Sequence, residues 1–158
     1  MGVFAASDIV EVAIRIEENG INFYKYAEKI SRKKEAKKLF AQLAQAEVNH
    51  KIFFEKIFAG MEKSSKPENF KGEYSAYLRS YVDNNIVFTK DAAEKQFAKV
   101  KNTAAALDFA IQRELDSILY YHEIKRLVPT AQHKTLDQII EEERKHFYAL
   151  TEIKKSMA

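Results

Sequence analysis

The chain has 158 residues, a length that suits one domain able to bury its own core. Its 26 basic and 23 acidic side chains nearly balance, and only four glycines and two prolines interrupt a composition rich in helix formers, which points to an all-helical protein. There is no cysteine, which excludes disulfides, iron–sulfur clusters and thiolate-bound zinc and leaves His and carboxylates as the protein ligands for any metal.

Two further classes are not expected. Lys33, Lys34, Lys37 and Lys38 lie on a solvent face and are not gathered beside aromatic platforms, so nucleic acid is not an expected partner. No apolar run approaches the ~18 residues of a membrane span, so no membrane is expected either. The N-terminus lacks a basic segment, and Asp8 and Glu11 interrupt its apolar residues, so a cytoplasmic location is expected.

The first helix should start near Ser7 or Asp8, where Asp8 and Glu11 have capping-box spacing. Ile9, Ala13, Ile16, Gly20, Phe23, Ala27 and Ile30 form a seam in steps of four and three, with Glu17 beside it. Gly20 costs such a helix about 1 kcal/mol relative to Ala. Either a close helix contact or room for a ligand near Glu17 would account for it. A polar turn over 31–34 leads into a second helix, about Glu35 to Met61. Its stripe is Phe40, Leu43, Glu47, His50, Phe54 and Ile57, apolar except for a Glu-x-x-His pair at the middle. A Glu and a His three apart lie one above the other on a helix, close enough to bind one metal ion.

Lys63 to Pro67 should end that helix, and residues 62–102 read as a crossover. It is expected to hold one short helix around Tyr74, Tyr77, Leu78 and Tyr81, a loop near Asp83 to Asn85, and another short helix within Asp91 to Val100. The third long helix begins after Asn102 or Thr103, either a good N-cap, and ends at Val128-Pro129. Its expected inner face is Leu107, Ile111, Glu114, Ile118 and Tyr121. The last helix runs from about Ala131 nearly to the end, with Leu136, Ile140, Glu143, His146, Leu150 and Ile153 inward. Glu143 and His146 repeat the earlier pair.

The repetition extends further. Ala13-Ile14-x-x-Glu17 with Tyr24 matches Ala110-Ile111-x-x-Glu114 with Tyr121 at an offset of 97. Phe40, Glu47, His50 and Phe54 match Leu136, Glu143, His146 and Leu150 at an offset of 96. One domain, 1–158, is therefore two hairpins of one design (about 7–61 and 103–157) joined by the crossover. Glu17 and Glu47 are each fifteen residues from a turn near Arg32, a rise and return of about 22 Å at helical pitch. Glu114 and Glu143 are similarly spaced about Pro129. Face-to-face packing of the hairpins would bring Glu17, Glu47, His50, Glu114, Glu143 and His146 to one level.

Four buried carboxylates need counter-charge. Two divalent metals would neutralise them, and so would two ferric ions with one bridging oxide, which suits O₂ or peroxide chemistry. One Glu from each of two helices and a Glu-x-x-His from each of the others is the ligand set of ferritin-like carboxylate proteins. On Ala13-Ile14-x-x-Glu17 through Tyr24, Glu47-x-x-His50, Ala110-Ile111-x-x-Glu114 through Tyr121, and Glu143-x-x-His146, the chain resembles the rubrerythrin-like branch of the ferritin-like di-iron superfamily. The resemblance covers both hairpins, about two thirds of the chain.

That resemblance implies an all-α, ferritin-like antiparallel four-helix bundle holding a non-haem di-iron centre that oxidises Fe(II) with hydrogen peroxide or O₂, as a peroxidase or a ferroxidase. Rubrerythrins carry a four-cysteine rubredoxin-like domain. This chain has no cysteine, so electrons must come from a separate donor, such as a rubredoxin-type protein, or from ferrous iron. They also usually carry a glutamate one turn after the third-helix ligand, where this chain has Ser117. A homodimer is expected from the same resemblance, and the Tyr74 to Tyr81 segment could serve it.

Other polar residues near the pattern have ordinary readings. Glu18 and Glu142 should be solvated, Asp116 should point away from Glu114, His122 lies on a flank, and His133 belongs at the surface. Tyr24 and Tyr121 are either core rings or donors to metal-bound carboxylates. Manganese or zinc would fit the ligands that fit two iron ions. Two alternatives to an oxidoreductase are a protein that only sequesters divalent metal and, less favoured, a di-iron hydroxylase, which would need a substrate channel.

Overall fold

The computed structural model describes residues 6–63, 76–78, 80–81 and 92–158. Two long helices form the first hairpin, α1 (Ala6–Ile30) and α2 (Lys34–Lys63). A short α3 (Ala92–Phe97) precedes the second hairpin, α4 (Thr103–Ile124) and α5 (His133–Ser156). These agree with the expected helices to within a turn, except that α4 ends at Ile124, four residues before the expected Val128. The loop expected near Asp83 to Asn85, and the segment from Ser64 to Tyr74, lie outside the described residues.

Local chemistry sets the helix ends. Asn102 caps α4 from an extended backbone, its Oδ1 accepting from the Ala105 amide at 2.8 Å. At the far end Pro129 cannot continue a helix, so the chain passes through two 3₁₀ turns, Lys125–Leu127 and Thr130–Gln132, before α5 begins. His133, expected at the surface, is partly buried there and its Nε2 lies 2.9 Å from the Val128 carbonyl.

Within each hairpin the helices pack along their length, and the hairpins meet as α1 on α4 and α2 on α5. Both meetings are antiparallel. Tyr24 bonds Glu114 and Tyr121 bonds Glu17, so α1 and α4 run in opposite directions. Lys33 meets Ser156 and His50 meets Glu142, so α2 and α5 do likewise.

The core is divided. One apolar cluster gathers Ile9, Ile16, Phe54, Ile57, Tyr120 and Ile140, and the other gathers Phe23, Phe40, Leu43, Ala106, Leu107 and Leu150. Glu17, Glu47, Glu114 and Glu143 are fully buried on the same helices between them. The crossover touches both clusters. Leu78 is buried in the first, where Tyr81 stacks on Tyr120, and Phe97 packs on Phe23 in the second. Leu78 and Tyr81 are thus engaged inside the chain, while Tyr77 is half exposed.

Candidate metal centre

All six side chains singled out from the sequence come together. Two groups of four form: Glu17, Glu47, His50 and Glu143, and Glu47, Glu114, Glu143 and His146. Within each group the potential ligand atoms lie within 4.8 Å of one another. Glu47 and Glu143 belong to both groups, so the two positions adjoin and share two carboxylates.

The imidazoles present matching atoms. His50 Nδ1 is 2.9 Å from Glu143 Oε1 and 3.7 Å from Glu17 Oε2. His146 Nδ1 is 3.2 Å from Glu143 Oε2 and 3.7 Å from Glu114 Oε2. The rings lie side by side with centroids 6.0 Å apart. One oxygen of each glutamate (Glu17 Oε2, Glu47 Oε1, Glu114 Oε2, Glu143 Oε1) is buried without a well-aligned hydrogen-bond donor. Buried acceptors of this kind normally find a partner, and a cation between the hairpins would supply one.

Hydrogen bonds hold the carboxylates from outside. The Tyr24 hydroxyl donates to Glu114 and the Tyr121 hydroxyl to Glu17, the same bond repeated across the internal duplication. Both tyrosines are fully buried, so each is a core ring and a donor at once. Glu142 is exposed as expected, but it also reaches the site. It is 53% exposed, yet its Oε2 lies 2.9 Å from His50 Nε2, because its long side chain bridges the seam between α5 and α2. Glu18 pairs with Lys51, Asp116 accepts from Gln112, and His122 contacts Arg144 at the surface.

Arg113 is the residue that sequence reasoning missed. Its side chain is only 2% exposed. Nη2 donates to Glu47 Oε2 at 2.8 Å and to the Ile16 carbonyl at 2.9 Å, Nη1 lies 3.4 Å from Glu114 Oε1, and the guanidinium sits over the Tyr24 ring. An arginine reads as a solvent residue because it is seldom buried without a partner. The available signal was the repeat itself, in which Arg113 stands where the first hairpin has Ile16. Gly20 is explained at the same stroke: a Cβ there would collide with the guanidinium. The room that Gly20 makes is for a side chain of the chain itself.

The electrostatics express a demand for positive charge. Burial pushes Glu47 well above the carboxylate range, even though Arg113 opposes the rise. Burial and the neighbouring Glu143 raise Glu114 to about 7. Glu143 is pushed up by burial and by Glu47, but hydrogen bonds from Glu114, His146 and His50 outweigh both and hold it at about 2. Burial would lower the two histidines, yet bonds to Glu143 and Glu17 lift His50 far above its ordinary value, and Glu114 and Glu143 lift His146 to about 10. Metal-free, the layer therefore holds protons on both imidazoles, where a metal would need their lone pairs.

The family model that matches the chain is that of rubrerythrin, over residues 8–154. A crystal structure at 2.30 Å of a Thermotoga maritima protein, proposed to be a ferritin-like diiron-carboxylate protein, is similar at a TM-score of 0.71 and 28% identity. That similarity covers 100% of this chain and 99% of the other. No curated protein sequence matches. Among the described residues no helix is long and apolar enough to cross a membrane.

Proposed function

Because the chain belongs to the rubrerythrin family, we propose that its buried layer binds two iron ions and oxidises Fe(II) with hydrogen peroxide or O₂. The observation that carries this reading is the pair of overlapping four-residue groups, adjacent and sharing Glu47 and Glu143. Glu17 and His50 would hold one ion, Glu114 and His146 the other, and the two shared carboxylates would serve both. When bound, the two irons supply the pair of one-electron steps by which one peroxide, with two protons, becomes two waters.

The protein's own groups prepare that chemistry. Tyr24 and Tyr121 fix the orientation of Glu114 and Glu17. Glu142 faces His50 Nε2 and would keep a proton there, so that the proton a metal displaces would be the one on the inward Nδ1. Apolar clusters above and below limit water. Ser117, buried and donating to the Arg113 carbonyl at 3.0 Å, puts no carboxylate at the position where rubrerythrins usually carry one. That absence favours ferrous iron as the electron source over a peroxidase cycle with a ligand switch.

Anaerobic loading of apo-protein with Fe(II), with iron per chain measured, then addition of peroxide or O₂ tests the reading. Two irons per chain, a near-ultraviolet ferric absorption and repeated oxidation of added Fe(II) are expected. One stoichiometric oxidation without turnover would instead mark a sequestering protein, and fewer than two tightly held ions would sink the dinuclear reading. Elemental analysis of natively produced protein decides between iron, manganese and zinc.

A further inference from the structure

The internal repeat relates the two halves of the layer, and it fails at two positions that touch them. Arg113 stands where the first hairpin has Ile16, and Glu142 where it has Ala46. The two departures have opposite charge. Glu142 brings a carboxylate 2.9 Å from His50 Nε2, in the group that includes Glu17. Arg113 brings a guanidinium to Glu47 at 2.8 Å and to Glu114 at 3.4 Å, and only the group that includes His146 contains both of those glutamates.

Enclosure differs in the same sense. The His50 side chain is 3% exposed and that of His146 is 15% exposed. Gly20 keeps the guanidinium in place, and its counterpart in the repeat is Ser117, whose side chain lies on the other helix. Ile16 contributes its backbone carbonyl to the arginine and no charge of its own.

We propose that Arg113 and Glu142 make the two metal positions unequal: a tight, enclosed position at Glu17 and His50, and a weaker, exchangeable one at Glu114 and His146. This rests on the reading that the layer binds two divalent ions. A fixed cation against two of the four ligands of one position opposes a second cation there by Coulomb repulsion, which is strong at low effective dielectric. Its hydrogen bond to Glu47 Oε2 bears on both positions, since both share that glutamate, so the difference between them comes from its contact with Glu114. At the other position a carboxylate on the far side of the imidazole fixes its tautomer and raises its basicity; losing such a partner weakens metal affinity by about 10–100-fold.

The experiment is titration of apo-protein with Co(II), followed by calorimetry and visible absorption, with timed removal by a chelator. Wild-type protein should bind two ions in two steps at least about tenfold apart, and the chelator should strip one ion before the other. Arg113→Gln should tighten the weaker step, so that the two steps approach each other. Structural damage would loosen both steps, so this direction of change separates a charge effect from misfolding. Glu142→Gln changes a half-exposed residue that folding can spare, and it should weaken the tighter step about tenfold or more. Two equal steps in the wild type, or a gap that neither substitution alters, would overturn the inequality and leave the metal-binding reading intact. No Co(II) bound would overturn that reading and the inference with it.

Discussion

Gly20 and Gly60 both lie within helices, yet a methyl group added to each meets opposite surroundings. At Gly60 nothing lies within 4 Å of the new atom, whereas at Gly20 the Arg113 guanidinium and the Glu47 carboxylate are in the way. Gly60→Ala should therefore stabilise the protein by about 0.4–1 kcal/mol, through reduced freedom of the unfolded chain. Gly20→Ala should destabilise it by about 1–3 kcal/mol, the usual cost of overpacking a filled core. Denaturant midpoints of the two variants check the difference in sign. The sequence marked Gly20 as anomalous but did not say why. Its partner is 93 positions away and belongs to a residue type that reads as solvent-facing until its acceptors, Glu47 and the Ile16 carbonyl, are known.

At the scale of the elements, the four long helices were legible from apolar spacing, and α4 buries Leu107, Glu114 and Tyr121 as read but presents a wider inner face than expected. Ile111 and Ile118, expected inside, are only partly buried, while Arg113, Ser117 and Tyr120 are fully buried. The cause is polar groups satisfied within the core. Tyr120 donates to the Ile9 carbonyl at 2.9 Å and Ser117 to the Arg113 carbonyl, bonds that no periodicity reveals. The start of α4 was legible because N-cap chemistry is local. Asn102→Ala should remove the bond to the Ala105 amide and cost about 1 kcal/mol, read from the unfolding midpoint. Glu142 is exposed as read, but its contact with His50 was hidden for the reason that hid Arg113: the partner belongs to the other hairpin.

Across the whole molecule, a charged layer separates two apolar clusters, so stability and metal binding share one set of groups. In metal-free protein His146 is raised to about 10, above its unfolded value of about 6.5. Its contribution is therefore full below about pH 6.5 and is lost as pH rises through 10. Glu143, lowered to about 2 from about 4.3 unfolded, contributes above pH ~4.3 and loses that contribution as pH falls through 2. Divalent metal must displace the imidazole protons, so stabilisation by metal should grow with pH across the neutral range. Thermal unfolding of chelated and Co(II)-loaded protein from about pH 5 to about pH 8 should show the gap in Tm widening with pH; a constant gap would mean that the histidines are not displaced from their protons.

The matched heights of the six residues were visible in the spacing of turns, because helical rise converts residue counts into distance. The burial of Arg113 was not, and it has a consequence for descent as well as for charge. A hairpin that assembled with an identical copy of itself would bear this arginine twice or not at all, and with it the glycine cut-out twice or not at all. Arg113 over Gly20, where the repeat has Ile16 and Ser117, is an arrangement that no symmetric pair can encode. Once two hairpins share a chain, each can change without the other, and that independence is what lets one half of the bundle hold a fixed charge against its twin.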